Sequence, residues 1–319
     1  MAVLVGIDEA GFGPILGPLV VSSSALSLPR ALLKSDLWQV LSKSVGERRR
    51  GLAGRLLVAD SKKAYSKSVG IRELERTVLA FLRCLGAEPA TLGELLMRLC
   101  PSCLGRLPDY PWYKDVDGHR LSAGTTDGRI ASSVLADDLS ANGMKLLELR
   151  SYCFDVAYYN KMVSSVKNKA GVLFTATAGL IDHAFNSYAR DDLHVVVDRQ
   201  GGRVRYRKVL LTMFSELELT ILSESPALSS YELRSGGKRM RLHFAVGADR
   251  RFLPVSLASM VSKYIRELLV AGINRYFTGF SGDLRPTAGY WKDGLRFIKE
   301  VKTNLPHISI DDNQLIRCR

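Results

Sequence analysis

Four carboxylates stand where the chain passes from an apolar run into polar or turn-forming residues. Asp8 and Glu9 follow Val3-Leu4-Val5, Asp198 closes the run His194-Val195-Val196-Val197, and Asp249 lies just ahead of the helix-like stretch that begins near Pro254. An acid at the end of a buried strand is costly unless something positive sits on it. Four carboxylates with no histidine cluster and no thiolate among them suit a hard cation, Mg²⁺ or Mn²⁺. Two such ions can activate a water and stabilise the leaving oxygen of a phosphodiester. Each acid alone is also an ordinary solvated turn residue, so only convergence of the four makes a site.

Bases surround these acids. Arg199, Arg203, Arg205, Arg207 and Lys208 follow Asp198; Arg250 and Arg251 follow Asp249; Lys62 and Lys63 stand beside Ser61. Surface ion pairing would account for such bases at little energetic gain. A polyanionic partner accounts for them as well, with metal ions letting the carboxylates approach phosphate. The whole chain agrees: 45 Lys and Arg against 32 Asp and Glu give a net charge of +13 over 319 residues, which favours nucleic acid as partner.

The elements that must position these residues alternate in character. "AVLVGID" and "GPLVVSSSAL" read as buried strands on either side of a glycine turn, and "RALLKSDLWQVLSKSV" has helical spacing. "GERRRGLAGR" reads as an exposed basic loop, "RLLVADSKKAYSKS" as a short strand entering a polar turn, and "VGIRELERTVLAFLRCLG" as an amphipathic helix. Residues 86–143, rich in proline, read as an insertion or small subdomain with short helices; residues 1–85 and 144–319 would form the main domain. "MKLLELRSYCF" returns to strand character, and residues 155–189 fit one long helix or a broken pair. "DDLHVVVD", "LELTILSES" and "SSYELRSGGKRMRLHFAV" read as strands, the last with a hairpin at "SGGK". A helix with Pro254 in its first turn comes next, and "GYWKDGLRFIKEV" begins a C-terminal one. Mixed strands and helices predict an α/β or α+β layered domain.

Hydrophobic residues make up 46% of the chain, enough for a sizeable core. The uncharged stretch 10–29 is broken by Gly, Pro and Ser and reads as a turn and a buried strand, not a membrane span. No basic leader precedes Asp8, so a cytoplasmic protein without membrane association is expected. Five cysteines argue against a disulfide framework. Cys100 and Cys103 form one C-x-x-C, and a structural zinc would need two more ligands from Cys84, His119 and Cys153; ordinary reduced thiols are the simpler expectation. Tyr110, Trp112 and Tyr113 could stack on bases, but aromatics set among prolines more commonly pack a small core.

The motifs in order resemble the ribonuclease HII (type 2 ribonuclease H) family. "GIDEAGFGPILGPLVVSS" is similar to its opening DEAGRG block, "ADSKKAYSKS" to its DSKK block, and "YNKMVSSVKNKAGVLFTATAGLIDHAF" to its central helix. "HVVVD" resembles the strand of its third acid, "ADRRFLPVSLASMVSKYIREL" the block of its fourth, and "GYWKDGLRFI" its late GY segment. The resemblance covers most of the chain outside residues 86–143. It implies a ribonuclease H-like α/β fold: a mixed central sheet flanked by helices, with a helical C-terminal part. It implies Mg²⁺- or Mn²⁺-dependent cleavage of the RNA strand of RNA–DNA hybrids, or cutting 5′ to a ribonucleotide embedded in duplex DNA, leaving 3′-hydroxyl and 5′-phosphate ends. By motif, Asp8, Glu9, Asp198 and Asp249 would be the metal ligands, with Asp8 bridging both ions. Gly11, Phe12, Gly13, Ser61, Lys62, Lys63 and Tyr290 would contact substrate, Tyr290 by stacking on a sugar.

The family's Gly-Arg-Gly is Gly11-Phe12-Gly13 here. The glycines still permit close approach to a 2′-hydroxyl, but the guanidinium is gone, which bears on selectivity for single ribonucleotides and not on metal chemistry. A structure-selective nuclease on the same scaffold, or a nucleic-acid-binding protein without cleavage, are the alternative readings.

Overall fold

The computed structural model describes residues 1–65, 70–121 and 126–318. The stretch Ser66–Ser68 of the DSKK-like block lies outside them, as does part of the proline-rich segment. A seven-stranded sheet organises the chain. Its strands are β1 (Ala2–Ala10), β2 (Leu19–Leu28), β5 (Lys145–Phe154), β6 (Asp192–Asp198), β7 (Glu218–Glu224), β8 (Leu228–Ser235) and β9 (Lys238–Ala245), in the order β5-β2-β1-β6-β9-β8-β7. The two-residue strands β3 (Val45–Gly46) and β4 (Leu56–Leu57) pair separately. β1, β6 and β9 run parallel, and the remaining neighbours are antiparallel, so the sheet is mixed.

Alternation along β1 sorts its side chains between two layers. Val3, Val5 and Ile7 pack with α7 (Lys169–Tyr188) on one face. Leu4 packs on the other face, among the side chains of α3 (Arg72–Cys84), α4 (Leu92–Leu99), α5 (Thr126–Ala141) and α9 (Leu253–Thr278). The fold is therefore α/β, a mixed sheet between helical layers. The apolar residues of the proline-rich segment join the α9 layer; Tyr110, Trp112 and Tyr113 are buried there against one another, and Trp112 packs on Tyr276 and Phe277. The packing reading of these aromatics holds, because buried rings offer no face to a base. α5 runs for 16 residues, longer than the short helices expected in this segment.

The stretch with helical spacing after residue 30 does not form one helix. It breaks into a 3-10 turn (Arg30–Lys34) and α1 (Leu37–Val40), because Asp36 caps a fresh start and Trp38 Nε1 donates to Val58 O at 2.7 Å. The long central segment is a broken pair, α6 (Val156–Val166) and α7. Lys167 turns left-handed at φ 55°, and Asn168 Oδ1 accepts the first amides of α7. Four further helices are α2 (Ser61–Ala64), α8 (Arg207–Met213), α10 (Trp291–Asn304) and α11 (Asp312–Leu315).

Gly6 fixes how the sheet meets α9. A Cβ there would stand 2.2 Å from Pro254 C and from Val255 N, so β1 and the first turn of α9 touch backbone to backbone. That contact lays β1 along α9, so that Asp8 near the carboxyl end of β1 lies against Ser259 and Ser262. No helix among the described residues is long and apolar enough to cross a membrane.

Candidate active site

β1 and β6 run in parallel register with Ile7 opposite Val197, which sets Asp8 beside Asp198 at the ends of adjacent strands. β9 continues the register, with Asp198 opposite Ala245, and the chain then turns through a 3-10 segment that carries Asp249. Ala248 N donates to Asp198 Oδ1 at 2.7 Å, tying that turn to the β6 acid. Three parallel strand ends thus bring together acids that are distant in sequence.

The electrostatics record their proximity. Burial pushes the Asp8 carboxyl well above its ordinary value, and the charges of Glu9 and Asp198 push it further. Burial, then repulsion from Asp198, pushes Glu9 up to about 7. Asp198 is raised by burial, against backbone amides of Ala248, Asp249 and Arg199 that favour its charged form. Asp249 is pushed up to about 6 by burial and then by Asp60 and Asp198. Partly desolvated like charges held together are destabilising until a cation offsets them.

The donor set is all oxygen and fits a hard divalent cation. Among the described residues, no three His, Cys, Asp or Glu side chains are already drawn around a point that could hold an ion. The cysteine pair is likewise not part of a metal group there. Cys100 and Cys103 are buried with their sulfurs 3.5 Å apart, Cys153 is buried within hydrogen-bonding reach of Cys103, and Cys84 instead faces Ser132 O.

Helix α9 supplies the polar lining behind the acids. Ser256, Ser259 and Ser262 recur every third residue and are buried. Ser262 Oγ donates to Asp8 O at 3.0 Å and lies 2.8 Å from Ser22 Oγ, while Ser259 hydrogen-bonds the Asp8 carboxylate and contacts Ser61 Oγ at 3.1 Å. Glu9 N donates to Asp8 Oδ1 at 2.7 Å, so the Asp8 side chain is held from two sides. Ser256 Oγ donates to Asp249 O.

The remaining sequence-predicted residues fall around this cluster. Ser61 is buried against α9. Lys62 is exposed and attracts Glu9, Asp198 and Asp249, while Lys63 Nζ turns 3.6 Å from Glu47. Gly11 adopts φ 94° and abuts Arg266, whereas nothing stands within 4 Å of a Cβ on Gly13. The Phe12 ring has Lys169 Nζ 5.4 Å from its centre, so a cation stands beside it. Tyr290 is half exposed at the start of α10. Of the bases after Asp198, Arg199 is tied to Pro226 O, Ser225 O and Ser229 Oγ, and Arg203 lies over the rings of Phe174 and Tyr206.

Sequence reasoning missed Asp60. It is 4% exposed, caps α2 by accepting from Lys62 N at 2.9 Å, stands 3.5 Å from Arg250 Nε and repels Asp249. An Asp directly before Ser-Lys-Lys carries a helix-cap signature that could have flagged it.

Over 107 residues the chain is 36% identical to a curated protein of Gluconobacter oxydans. That relative is a ribonuclease HII. The aligned part is 33% of this chain and 46% of the ribonuclease HII, so the chain spans about half the length of the relative it matches. No family model matches. Among solved structures, the chain is similar to one of the PCNA:RNase HII complex from Archaeoglobus fulgidus, with TM-score 0.45 and 15% identity, over 99% of this chain and 94% of that one. It is also similar to the ribonuclease H2 of Pyrococcus horikoshii OT3, with TM-score 0.46 and 12% identity, over 98% and 92%. At that overlap and identity the structural likenesses carry no argument. The curated match is a likeness over a third of this chain.

Proposed function

We propose that this chain is a divalent-metal-dependent endoribonuclease of the ribonuclease H type. It hydrolyses the RNA strand of RNA–DNA hybrids or cuts 5′ to ribonucleotides embedded in duplex DNA, leaving 3′-hydroxyl and 5′-phosphate ends. The observation that carries this reading is the meeting of Asp8, Glu9, Asp198 and Asp249 at neighbouring strand ends under α9. Those four would hold Mg²⁺ or Mn²⁺, with Asp8 the most deeply buried of them. Bound there, the ions would supply an activated water and charge stabilisation at the leaving oxygen. Ser259 and the Glu9 amide orient the Asp8 carboxylate, so its oxygens stay turned to the cluster. Lys62 brings a positive charge beside the acids for the phosphate backbone, and the net charge of +13 draws the polyanion in. Gly13 faces open space that a ribose could approach, Gly11 lets the turn pack on Pro18 and Arg266, and Tyr290 presents a half-exposed ring for stacking on the sugar.

The test is cleavage of three labelled substrates in Mg²⁺ or Mn²⁺: a duplex with one ribonucleotide, a full hybrid and an all-DNA junction. Cuts only where ribose is present are expected, and Asp198→Asn should abolish them while leaving binding intact. Cutting of the junction alone would replace this reading with a structure-selective nuclease. Tight binding without cutting in either metal would replace it with a binding protein.

A further inference from the structure

Along the buried side of α9 stands a guanidinium only 1% exposed, that of Arg266. A buried charge persists where it is paired and hydrogen-bonded. Arg266 Nη1 donates to Glu267 Oε1 at 2.9 Å, and Nη2 donates to Leu16 O at 3.3 Å and Ala288 O at 3.0 Å. These two carbonyls belong to segments far apart in sequence. Leu16 ends the loop opened by Gly11, Phe12 and Gly13, and Ala288 lies two residues before Tyr290.

The same side chain touches both segments elsewhere. A Cβ on Gly11 would come within 2.8 Å of Arg266 Cδ and Nε, and the Tyr290 ring centre is 5.8 Å from Cζ. The segments are also bonded to each other, since Ile15 N donates to Gly289 O at 2.8 Å. Arg266 Nε is buried without a hydrogen-bond partner among the described residues. With Nη1 turned to Glu267 on its own helix, Nη2 alone bridges the two loops through Leu16 O and Ala288 O. Glu267 secures it from the other side, and that carboxylate is itself held by Lys263 Nζ at 2.8 Å.

We infer that Arg266 is a positioning residue that locks the Tyr290 segment to the Gly11–Gly13 turn, so that ring and turn meet one nucleotide in fixed register. The inference rests on the ribonuclease reading for the identity of that nucleotide. Arg266 touches no substrate; it acts through Tyr290. Lysine keeps the charge but cannot reach Leu16 O, Ala288 O and Glu267 together.

The experiment is a double-mutant cycle of Arg266→Lys and Tyr290→Ala, read as kcat/KM on a duplex carrying one ribonucleotide. Affinity for the all-DNA duplex is measured alongside. Each single variant should lose about tenfold, and the double variant should be no worse than Tyr290→Ala alone. All-DNA affinity should stay unchanged. Losses that multiply to about a hundredfold, an Arg266→Lys enzyme equal to wild type, or an equal loss on all-DNA duplex would overturn the inference. If the wild type cuts no ribose-containing duplex, the ribonuclease reading fails by itself. The same cycle read as Kd for that duplex then decides the inference by the same criterion of non-additivity. If circular dichroism finds Arg266→Lys unfolded, Glu267→Gln loosens the same arginine and takes its place in the cycle.

Discussion

The acids at the strand ends carry a stability cost that metal binding would relieve. Glu9 titrates at about 7 in the fold against 4.5 ordinarily, and Asp249 at about 6 against 3.8. A raised folded value favours the fold where the proton is retained. The contribution is full below the ordinary value and lost as pH rises through the folded one. The metal-free chain should therefore lose stability between roughly pH 4 and pH 7, and divalent metal should restore it. Thermal unfolding is expected to show a Mg²⁺- or Mn²⁺-induced rise in Tm that is larger at about pH 8 than at about pH 5. Asp8→Asn should raise the metal-free Tm at the higher pH and abolish the metal-induced rise. An undiminished metal response in that variant would remove Asp8 from the ligand set. The positions of the acids were legible because each closes an apolar run. Asp60 carried only a helix-cap signature, which does not point to a site; the three serines of α9 were not legible, because a Ser reads as a small surface or core residue until its partner across the sheet is known.

At the scale of elements, strands and helices with strong punctuation could be read directly. β8 and β9 announce themselves through the Gly236-Gly237 turn, and α9 through Pro254 in its first turn. The stretch 30–45 could not be read, because its apolar spacing suits a helix while Asp36 and the Trp38–Val58 bond break it. Arg266 was illegible for the opposite reason: a single charge on a helix ordinarily reads as its exposed edge. Two substitutions probe the elements that frame the site. Gly6→Ala should cost about 3 kcal/mol or more, because the contact with Pro254 and Val255 is backbone and cannot yield as a side chain does. Asn168→Ala removes the cap on α7 and should cost only about 1 kcal/mol. Denaturant unfolding with an unchanged m-value checks both, and a Gly6→Ala variant as stable as wild type would mean that β1 and α9 can separate cheaply.

For the whole molecule, the excess of 45 basic over 32 acidic residues makes salt the sensitive variable. Duplex binding that neutralises about five phosphates should fall with a log–log salt slope of about −4 to −5. Arg251→Ala, which removes an exposed charge two residues after Asp249, should flatten that slope by about 1 without changing discrimination between ribose and deoxyribose. Anisotropy titrations across a range of salt concentrations measure both effects, and a salt-independent affinity would argue against a backbone-tracking surface.

The direct meeting of Gly6 with Pro254 also says what moves when an ion arrives. Asp8 is anchored to the strand and Asp249 stands at the threshold of the helix, and main-chain atoms in contact leave no room for the two to swing together like jaws. If the proposed metal reading holds, loading would proceed by rotation of the carboxylates themselves inside an unyielding frame. Solution scattering with and without Mn²⁺ would accordingly superimpose, even as the ion reorders the side chains at its centre.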